Sequence, residues 1–190
     1  MRFLLTLSIV LACASASAQD DTNAQAQEWQ PRYGDGWFVE FGGAGNSVTG
    51  DASGLFTGDG YQVGGAVGRM IRFDNWILGA DAEVYYFGGV KLPTVDIDGV
   101  TFMANGRMGL VVAERFIPYG KFGIGGINSN ANFGFFKTSA TSFAISVGGG
   151  ARGYVTEGVY LFFDATWVTE IVSGPAYQQV RYGGGVGLTF

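Results

Sequence analysis

The stretch WILGADAEVYYF, residues 76–87, alternates between apolar residues and small or charged ones with a period of two. Its even positions are all apolar: Trp76, Leu78, Ala80, Ala82, Val84 and Tyr86. Its odd positions include Asp81 and Glu83. Alternation is the period of a β-strand, because successive side chains of a strand point to opposite faces. The stretch therefore predicts a strand with one apolar face and one face of small and charged residues.

The same alternation recurs along the chain from residue 36 onward. It predicts eight strands, over Gly36 to Gly45, Tyr61 to Ile71, Trp76 to Phe87, Val100 to Val112, Pro118 to Ile127, Phe143 to Arg152, Val159 to Ile171 and Gln179 to Phe190. Eight strands of this length suffice to close a sheet into a barrel. The predicted fold class is all-β, an eight-stranded antiparallel up-and-down transmembrane β-barrel over residues 36–190.

Two kinds of barrel fit eight amphipathic strands, and they differ in which face points inward. A soluble ligand-binding barrel, which is the alternative, hides its apolar face, whereas a membrane barrel turns that face to lipid. Here the polar face is rich in glycine and carries few charges, which is unlike a solvated surface. An Arg or Lys facing lipid near the bilayer midplane costs about 2–4 kcal/mol, so Arg107 and Lys121 favour an inward polar face.

Eight charged residues share that predicted inward face. They are the acids Glu40, Asp81, Glu83 and Asp164 and the bases Arg107, Lys121, Arg152 and Arg181. Burial of an ion costs several kcal/mol, so each charge needs a partner of opposite sign. We expect these residues to form a paired network inside the barrel.

The connections between the predicted strands alternate in length. The short ones span 72–75, 113–117 and 153–158, and the longer ones span 46–60, 88–99, 128–142 and 172–178. This alternation is typical of periplasmic turns and extracellular loops. Two longer loops contain the apolar residues Leu55, Phe56, Phe133, Phe135 and Phe136. Exposed apolar side chains favour contact with a surface partner or with lipopolysaccharide.

Aromatic residues near the strand ends predict two girdles at the membrane interfaces. The inner girdle would hold Trp37, Trp76, Tyr119 and Phe190, and the outer girdle Tyr61, Tyr86, Trp167 and Tyr177. The alternative is that these are ordinary strand aromatics.

The first 18 residues have the order of a secretory signal peptide. Arg2 precedes an apolar run from Phe3 to Ala12, and Ala16-Ser17-Ala18 has the form of a cleavage site. Alternatives are a short buried helix or a lipoprotein signal at Cys13, the single cysteine of the chain. Residues 19–35 are polar and unpatterned, which predicts a flexible periplasmic segment.

Composition excludes several classes of protein. The 33 glycines have no every-third-residue period, which excludes collagen, and 47% hydrophobic residues exclude a disordered chain. A formal charge of -5 and the lack of a Lys or Arg run predict no nucleic-acid partner. The sequence contains no histidine, which removes the commonest general base and metal ligand.

Two motifs suggest sites that we do not expect to form. Residues 148–153, GGGARG, match G-x-G-x-x-G, but a turn and a strand follow instead of the helix that holds a pyrophosphate. The alternative to an ion-paired role for Asp81, Glu83 and Asp164 is a divalent-cation site. The opposite charges on the same face favour ion pairing, so we expect no cofactor and no metal.

Longer phrases of the sequence resemble the outer-membrane β-barrel family that includes the OmpA transmembrane domain and the small opacity-type porin-family proteins. They are GYQVGGAVGRMIRFDNWILGADAEVYY (60–86), FIPYGKFGIGG (116–126) and FAISVGGGARGYVTEGVYLFFDATW (143–167). The resemblance covers about residues 36–190. Unlike full-length OmpA, the sequence has no peptidoglycan-binding domain after the last strand, so a cell-wall tethering role is not implied.

The resemblance also implies how the chain is assembled and where it resides. A terminal Phe190 with apolar residues at alternating positions, Tyr182, Val186 and Leu188, resembles the signal recognised by the barrel-assembly machinery. The implied location is the bacterial outer membrane, with lipid and lipopolysaccharide as surroundings. Enzymes of this kind of barrel generally use a histidine, so we expect no catalysis.

Two functions fit these expectations. The first is a structural and surface-interaction protein that displays extracellular loops and supports envelope integrity. The second is a narrow porin-like channel for small solutes. An eight-stranded barrel is only wide enough for its own side chains, which disfavours a permanent pore, whereas the glycine-rich interior leaves room for voids.

Overall fold

Eight antiparallel strands form one closed sheet in the computed structural model, which describes residues 33–49, 57–92, 95–113, 115–171 and 178–190. The strands are β1 (Gly36–Thr49), β2 (Thr57–Phe73), β3 (Trp76–Leu92), β4 (Val95–Leu110), β5 (Phe116–Asn132), β6 (Lys137–Tyr154), β7 (Val159–Glu170) and β8 (Gln178–Thr189). Each strand pairs with its neighbours in sequence, and β8 returns to β1. The predicted all-β, eight-stranded up-and-down barrel is confirmed.

A seam between the first and last strands closes the barrel. The register of β1 against β8 runs from Phe38 opposite Thr189 to Thr49 opposite Gln178. The amide of Trp37 donates to the carbonyl of Phe190 at 3.0 Å, and the amide of Phe190 donates back at 2.9 Å. Closure leaves no open sheet edge, as a sheet that spans a membrane requires.

The outer wall of the barrel is apolar. Exposed large side chains on the strands include Phe41, Val63, Val84, Phe102, Phe122, Ile124, Phe143, Leu161, Phe163 and Val186. Arg69 and Asp96 are exposed too, but each lies near an end of its strand. In the described strands, the wall between the level of Arg69 and the polar segments that begin at Asp59, Asp98 and Asn128 carries apolar and small side chains. None of the described residues forms a helix long and apolar enough to cross a membrane.

The two ends of the barrel differ in their connections. The terminal end holds Gly36, Phe190 and the turns after β2, β4 and β6, and the hairpin end holds the four remaining connections. The turn after β2 needs only Asp74 and Asn75, with Asp74 at a φ of 51°. Asp and Asn tolerate this left-handed conformation better than most residues, which makes them suited to a two-residue turn.

The strands reach further toward the hairpin end than the sequence predicts. Segments 88–99 and 128–142, predicted as long loops, are mostly strand, and this part of the prediction is wrong. In 128–142 both faces below the tip are polar or small, and in 88–99 the buried Val90 and the partly buried Ile97 face polar or small residues across an irregular register, so neither segment shows the alternation that marks the barrel wall. Side chains join the strands here: Asn130 donates to Asp98 at 3.0 Å, and Asn128 donates to Thr141 at 2.8 Å.

The β5–β6 hairpin projects beyond the apolar wall. Its last apolar outward residue is Phe143, opposite Gly126, and pairing continues to Asn132 opposite Lys137. The part of the hairpin between these two pairs is its stem. It spans six residues of β6, from Lys137 to Ser142, and at about 3.3 Å for each residue it is about 20 Å long. Every residue from Phe133 to Thr141 is exposed.

The predictions for the N-terminal segment and for the aromatic girdles are compared with the structure residue by residue. Residues 1–32, which include the predicted signal peptide, lie outside the described residues, as does Tyr177. Tyr33 is buried, and its ring lies 5.3 Å from that of Tyr154.

Tyr119, placed in the inner girdle by the sequence, instead faces the interior and is 6% exposed. Its odd position puts it on the same face as Lys121, so the girdle assignment is wrong for this residue.

Glycines on the inner face make room for large rings. A Cβ atom added to Gly68 would lie 2.4 Å from the backbone oxygen of Ala80 and 2.7 Å from Cζ of Phe38. One added to Gly99 would lie 2.2 Å from the backbone oxygen of Asn128 and 2.7 Å from Cζ of Phe87. Real Cβ atoms do not approach other atoms this closely, so a side chain at either position must displace both the neighbouring strand and the ring. The glycine-rich face is therefore packed by aromatic residues of neighbouring strands.

Replacing Gly68 by Val should destabilise the barrel by about 1–3 kcal/mol, because the added atoms collide with the backbone oxygen of Ala80 and overpack the space of Asp81 and Phe38. The measurement is the urea midpoint of the protein refolded in lipid vesicles. Gly153→Val is the matched control, since a Cβ atom there meets no heavy atom within 4 Å. Equal midpoints for the two variants would contradict the packing role of Gly68.

Candidate functional site

All eight charged residues singled out by the sequence lie inside the barrel. Each is at most 7% exposed: Glu40, Asp81, Glu83, Arg107, Lys121, Arg152, Asp164 and Arg181. They come from β1, β3, β4, β5, β6, β7 and β8. The alternation of each strand turns these side chains inward, and the closed sheet brings them to one level.

Four of these residues form one ion-paired group, the Glu40 quartet (Glu40, Asp81, Arg107 and Arg152). Arg107 bridges two acids, with Nη2 2.8 Å from Oε2 of Glu40 and Nε 2.5 Å from Oδ2 of Asp81. Nη2 of Arg152 lies 2.8 Å from Oε1 of Glu40. The amide of Asn105 also donates to Asp81 at 2.8 Å.

The other four form the Glu83 quartet (Glu83, Lys121, Asp164 and Arg181). Nζ of Lys121 lies 2.6 Å from Oδ2 of Asp164 and 3.1 Å from Oε2 of Glu83. Nη2 of Arg181 lies 2.6 Å from Oε1 of Glu83. Each quartet contains two acids and two bases, so each has a formal charge of zero. Pairing within the quartets offsets the desolvation that burial imposes on the ions.

Aromatic rings line the guanidinium groups, a feature that the sequence reasoning missed. The Arg152 guanidinium carbon lies 4.3 Å from the ring centroid of Phe38 and 4.8 Å from that of Tyr160. The Arg181 guanidinium carbon lies 4.2 Å from the ring centroid of Tyr85. Such cation–π contacts are most favourable when desolvated. The sequence positions of these rings could have predicted the contacts. Phe38 lies two residues from Glu40, and Tyr160 lies four residues from Asp164, so each ring shares the inward face of its strand with a charged residue.

Apolar clusters lie on both sides of the charged layer. The lower cluster, toward the terminal end, comprises Tyr33, Phe38, Ala66, Met70, Ile77, Ile117, Tyr154, Tyr160 and Phe162. The upper cluster comprises Phe87, Met103, Ile127, Ala144 and Val168. Along β3, Ile77 belongs to the lower cluster and Phe87 to the upper one, with Asp81 and Glu83 between them. The interior therefore has an apolar lower layer, a charged middle layer, and an upper layer in which this apolar cluster lies beside buried polar residues.

Several buried polar groups without a hydrogen-bond partner lie in the upper half of the interior, and others, such as Nε and Nη1 of Arg181, lie in the charged layer. Among the described residues, the side-chain amides of Asn46 and Gln179 have no hydrogen-bond partner, nor do Oε1 of Gln62 and Oγ1 of Thr101. All four residues are at most 3% exposed. Asn46 and Gln62 lie on the paired strands β1 and β2, and Gln179 is opposite Val48 across the seam. Buried groups of this kind require hydrogen-bonding partners, which bound water supplies.

The described carboxylates do not form a metal centre. Within the described ranges, no group of three or more Asp, Glu, Cys or His side chains is placed to hold a metal ion. Glu83 and Asp164, the acids of one quartet, accept hydrogen bonds from Lys121 and Arg181. Their arrangement is that of a paired ionic layer.

The predicted loop contacts occupy the tip of the β5–β6 hairpin. Phe135 is fully exposed, Phe136 is 60% exposed and Phe133 is 37% exposed. The rings of Phe133 and Phe136 stack with centroids 4.6 Å apart. Leu55 and Phe56 lie outside the described residues.

The residues of the proposed assembly signal lie on the outer face of the last strand and just after it. Tyr182, Val186 and Leu188 are each about half exposed, and Phe190 is 75% exposed. Their side chains alternate with inward-facing Arg181, Gly185 and Gly187.

A family model described as the outer membrane protein beta-barrel domain matches residues 6–190. The chain belongs to this family. The match spans the whole barrel, so the apolar outer wall is the lipid-facing surface of an outer-membrane protein and the resemblance inferred from the sequence is confirmed.

Solved structures of outer-membrane barrels share the fold. Neisserial surface protein A (NspA) is similar with a TM-score of 0.67 at 17% identity, over 82% of this chain and 98% of its own. The N-terminal barrel of Pseudomonas aeruginosa OprF gives 0.60 at 14% identity, over 83% and 99%. Ail of Yersinia pestis gives 0.53 at 14% identity, over 80% and 99%. No curated protein matches the chain by sequence.

Arg107→Ala should lower the free energy of unfolding by about 3–5 kcal/mol, because it leaves Glu40 and Asp81 as buried carboxylates without their shared partner. Urea midpoints of the protein refolded in lipid test this. Arg69→Ala is the control, since Arg69 is exposed at the rim and its loss should cost about 0.5 kcal/mol or less. An unchanged midpoint for Arg107→Ala would contradict the pairing of Arg107 with Glu40 and Asp81 inside the barrel.

The division into two quartets predicts a pattern of energetic coupling. A double-mutant cycle of Glu40→Gln with Arg107→Met should give a coupling energy of about 0.5–3 kcal/mol, since these residues are in contact. A cycle of Glu83→Gln with Arg107→Met, which crosses the quartets, should give a smaller value. The measurement is urea unfolding of all single and double variants. Equal coupling in both cycles would mean that the eight charges act as one network.

Proposed function

We propose that this outer-membrane barrel is a structural and surface-interaction protein, in which the barrel anchors and displays hairpins and supports envelope integrity. The observation that carries the proposal is the contrast between a filled interior and projecting hairpins. The lower apolar cluster, the two ion-paired quartets and the upper apolar cluster occupy the interior, whereas the β5–β6 hairpin exposes three phenylalanines at its tip. A protein that binds partners at its outer surface needs projecting hairpins and no path through the barrel. A channel needs such a path.

The proposed orientation puts the terminal end in the periplasm and the hairpin end outside the cell. In barrels of this kind, short turns face the periplasm and longer connections face outward. The terminal end has the two-residue turn at Asp74 and Asn75, and the hairpin end has the polar β5–β6 stem. Lipopolysaccharide would then surround the stem, and a surface partner would meet the tip.

Three further parts of the proposal concern assembly and chemistry. The barrel-assembly machinery would recognise the β8 residues that end at Phe190, after export directed by residues 1–18. The protein would be no enzyme and would bind no nucleic acid. The support is the sequence without histidine, with a formal charge of -5 and with its inner carboxylates already paired to Arg and Lys.

A narrow channel for small solutes is the second candidate, and one observation favours it. Asn46, Gln62, Thr101 and Gln179 carry buried polar atoms without protein partners in the described part of the chain, so the upper interior has hydrogen-bonding capacity that water or a solute would use. Ion pairs in the layer below would have to break to extend that space through the barrel.

Single-channel recording of the refolded protein in a planar bilayer separates the two functions. We expect no discrete conductance steps from folded protein, because the ion-paired quartets and the lower apolar cluster occupy the interior across the middle and lower barrel. Gel mobility before and after boiling shows that the sample is folded. A matched Phe87→Ala variant opens the upper layer alone, and it should stay silent because the quartets and the lower cluster still fill the interior.

Reproducible steps from the folded, unsubstituted protein would overturn the proposal in favour of the channel. Glu83→Gln and Arg107→Met would then identify the conducting path through changes in step size. Steps that appear equally in unfolded control samples would arise from bilayer defects and would leave the proposal standing.

A further inference from the structure

The short segment before β1 lies across the opening of the barrel at the terminal end, which we call the terminal mouth. We call this segment, residues 33–35, the strap. Tyr33 is 9% exposed and belongs to the lower cluster, although it precedes the first strand, and Gly34 is buried beside it. Chain that leads into a first strand is ordinarily solvated unless specific contacts hold it, so a buried ring at this place indicates such contacts.

The contacts of the strap reach the far wall of the barrel. In the closed sheet, β5 lies four strands from β1 in either direction. A Cβ atom added to Gly34 would lie 2.8 Å from Cδ1 of Ile117 on β5, and it would also collide with Cδ1 of Ile77 on β3. The ring centroid of Tyr33 lies 5.3 Å from that of Tyr154, the last residue of β6. The strap therefore crosses the mouth from β1 to the opposite wall.

Two glycines and one cation fix the path of the strap. Gly34 has a φ of 81° and Gly36 has a φ of 117°, conformations that residues with side chains rarely adopt. A Cβ atom added to Gly36 would lie 2.8 Å from the backbone oxygen of Phe190, so the chain turns into the mouth close against its own C-terminus. On the far side, the guanidinium carbon of Arg115 lies 5.8 Å from the ring centroid of Tyr33, within the range of a cation–π contact.

Strand pairing does not hold the strap in place. The register of β1 with β2 begins at Gly36 opposite Met70, and its register with β8 begins at Phe38 opposite Thr189. The strap precedes all of these pairs, so it can leave the mouth without breaking the ladder of the sheet. The other buried members of the lower cluster lie on paired strands. The strap is therefore the part of the lower cluster that can move while the barrel stays closed.

We propose that the strap is a gate at the terminal mouth. When it is docked, Tyr33 and Gly34 cover Ile117 and Ile77 and keep water out of the lower cluster. When it is released, the lower interior opens while the barrel remains folded. The inference goes beyond the proposed anchoring role and depends on it only for the placement of this mouth in the periplasm. The gate governs the lower interior alone, because the ion-paired quartets lie above it.

The test measures whether a thiol beneath the strap is accessible. The full chain has one cysteine, so Cys13→Ser gives a background without any. Ile117→Cys then puts a single thiol under Gly34 in the barrel, which is refolded in lipid nanodiscs. We expect a polar maleimide to modify this thiol slowly, and about tenfold faster or more when Tyr33→Ala is added, because the closed state then loses its buried ring.

A second variant acts on the backbone of the strap and has a matched control. Gly34→Val cannot keep a φ of 81° without strain and would strike Ile77 and Ile117, so it should also speed modification about tenfold or more. Gly134 has the same φ of 81°, but it lies at the tip of the β5–β6 hairpin, where an added Cβ atom meets nothing within 4 Å. Gly134→Val should therefore leave the rate unchanged. Boiling-dependent gel mobility shows that all variants are folded.

A thiol in the upper cluster separates release of the strap from loosening of the whole barrel. Ile127 is fully buried on β5, on the hairpin side of the quartets. The modification rate of Ile127→Cys should not change with Tyr33→Ala or Gly34→Val. Faster modification at both cysteine positions would mean that the whole barrel loosens, and it would overturn the gate. Fast modification of Ile117→Cys with the strap intact, or equal rates with and without the strap substitutions, would overturn it as well.

The gate and the proposed function fail by different results. If the strap substitutions leave the modification of Ile117→Cys slow and the bilayer recordings are silent, the gate is wrong and the anchoring role stands. If modification depends on the strap while the folded, unsubstituted protein conducts in discrete steps, the anchoring role is wrong and the gate stands.

Discussion

The narrow interior of a closed eight-stranded sheet is the constraint on which the rest of the structure depends. Such an interior has room for side chains and for little else, so every ion within it loses its water. The chain meets this constraint with equal numbers of acids and bases, divided into two neutral quartets. Because Arg107 and Lys121 each contact two acids, the quartets join strands that are not neighbours in the sheet.

The fold and the inner face were predictable from the sequence because both follow from the period of a strand. The alternation of apolar and polar positions is enough to assign Glu83 and Arg107 to the inner face, although it does not identify the residues with which they pair. The division into quartets was not predictable. Arg107 and Lys121 are direct register partners on β4 and β5, yet they bind different acids. Contact across the barrel depends on strand tilt and side-chain reach, which a linear pattern does not contain.

The hairpin extensions were missed for a related physical reason. Alternation marks a strand only where one face meets an apolar phase, and residues 128–142 have polar or small residues on both faces below the tip. Backbone pairing and bonds such as Asn130 to Asp98 hold these strands together instead. NspA and the OprF barrel share the fold at 17% and 14% identity. The shared fold therefore carries no information on what the hairpins bind.

The seam between β1 and β8 has a consequence for how the protein folds. Its partners, such as Phe38 and Thr189, are about as far apart in sequence as the barrel allows, so the seam is its least local contact. Until that contact forms, two strand edges expose unpaired amides and carbonyls, which hydrocarbon penalises strongly. A partly closed sheet is thus a poor intermediate within lipid, and the seam has the largest loop-closure entropy of any strand pairing in the barrel. Pairs such as Asp81 with Arg107 join strands away from the seam, whereas Glu40 on β1 and Arg181 on β8 belong to the two strands that meet last in sequence.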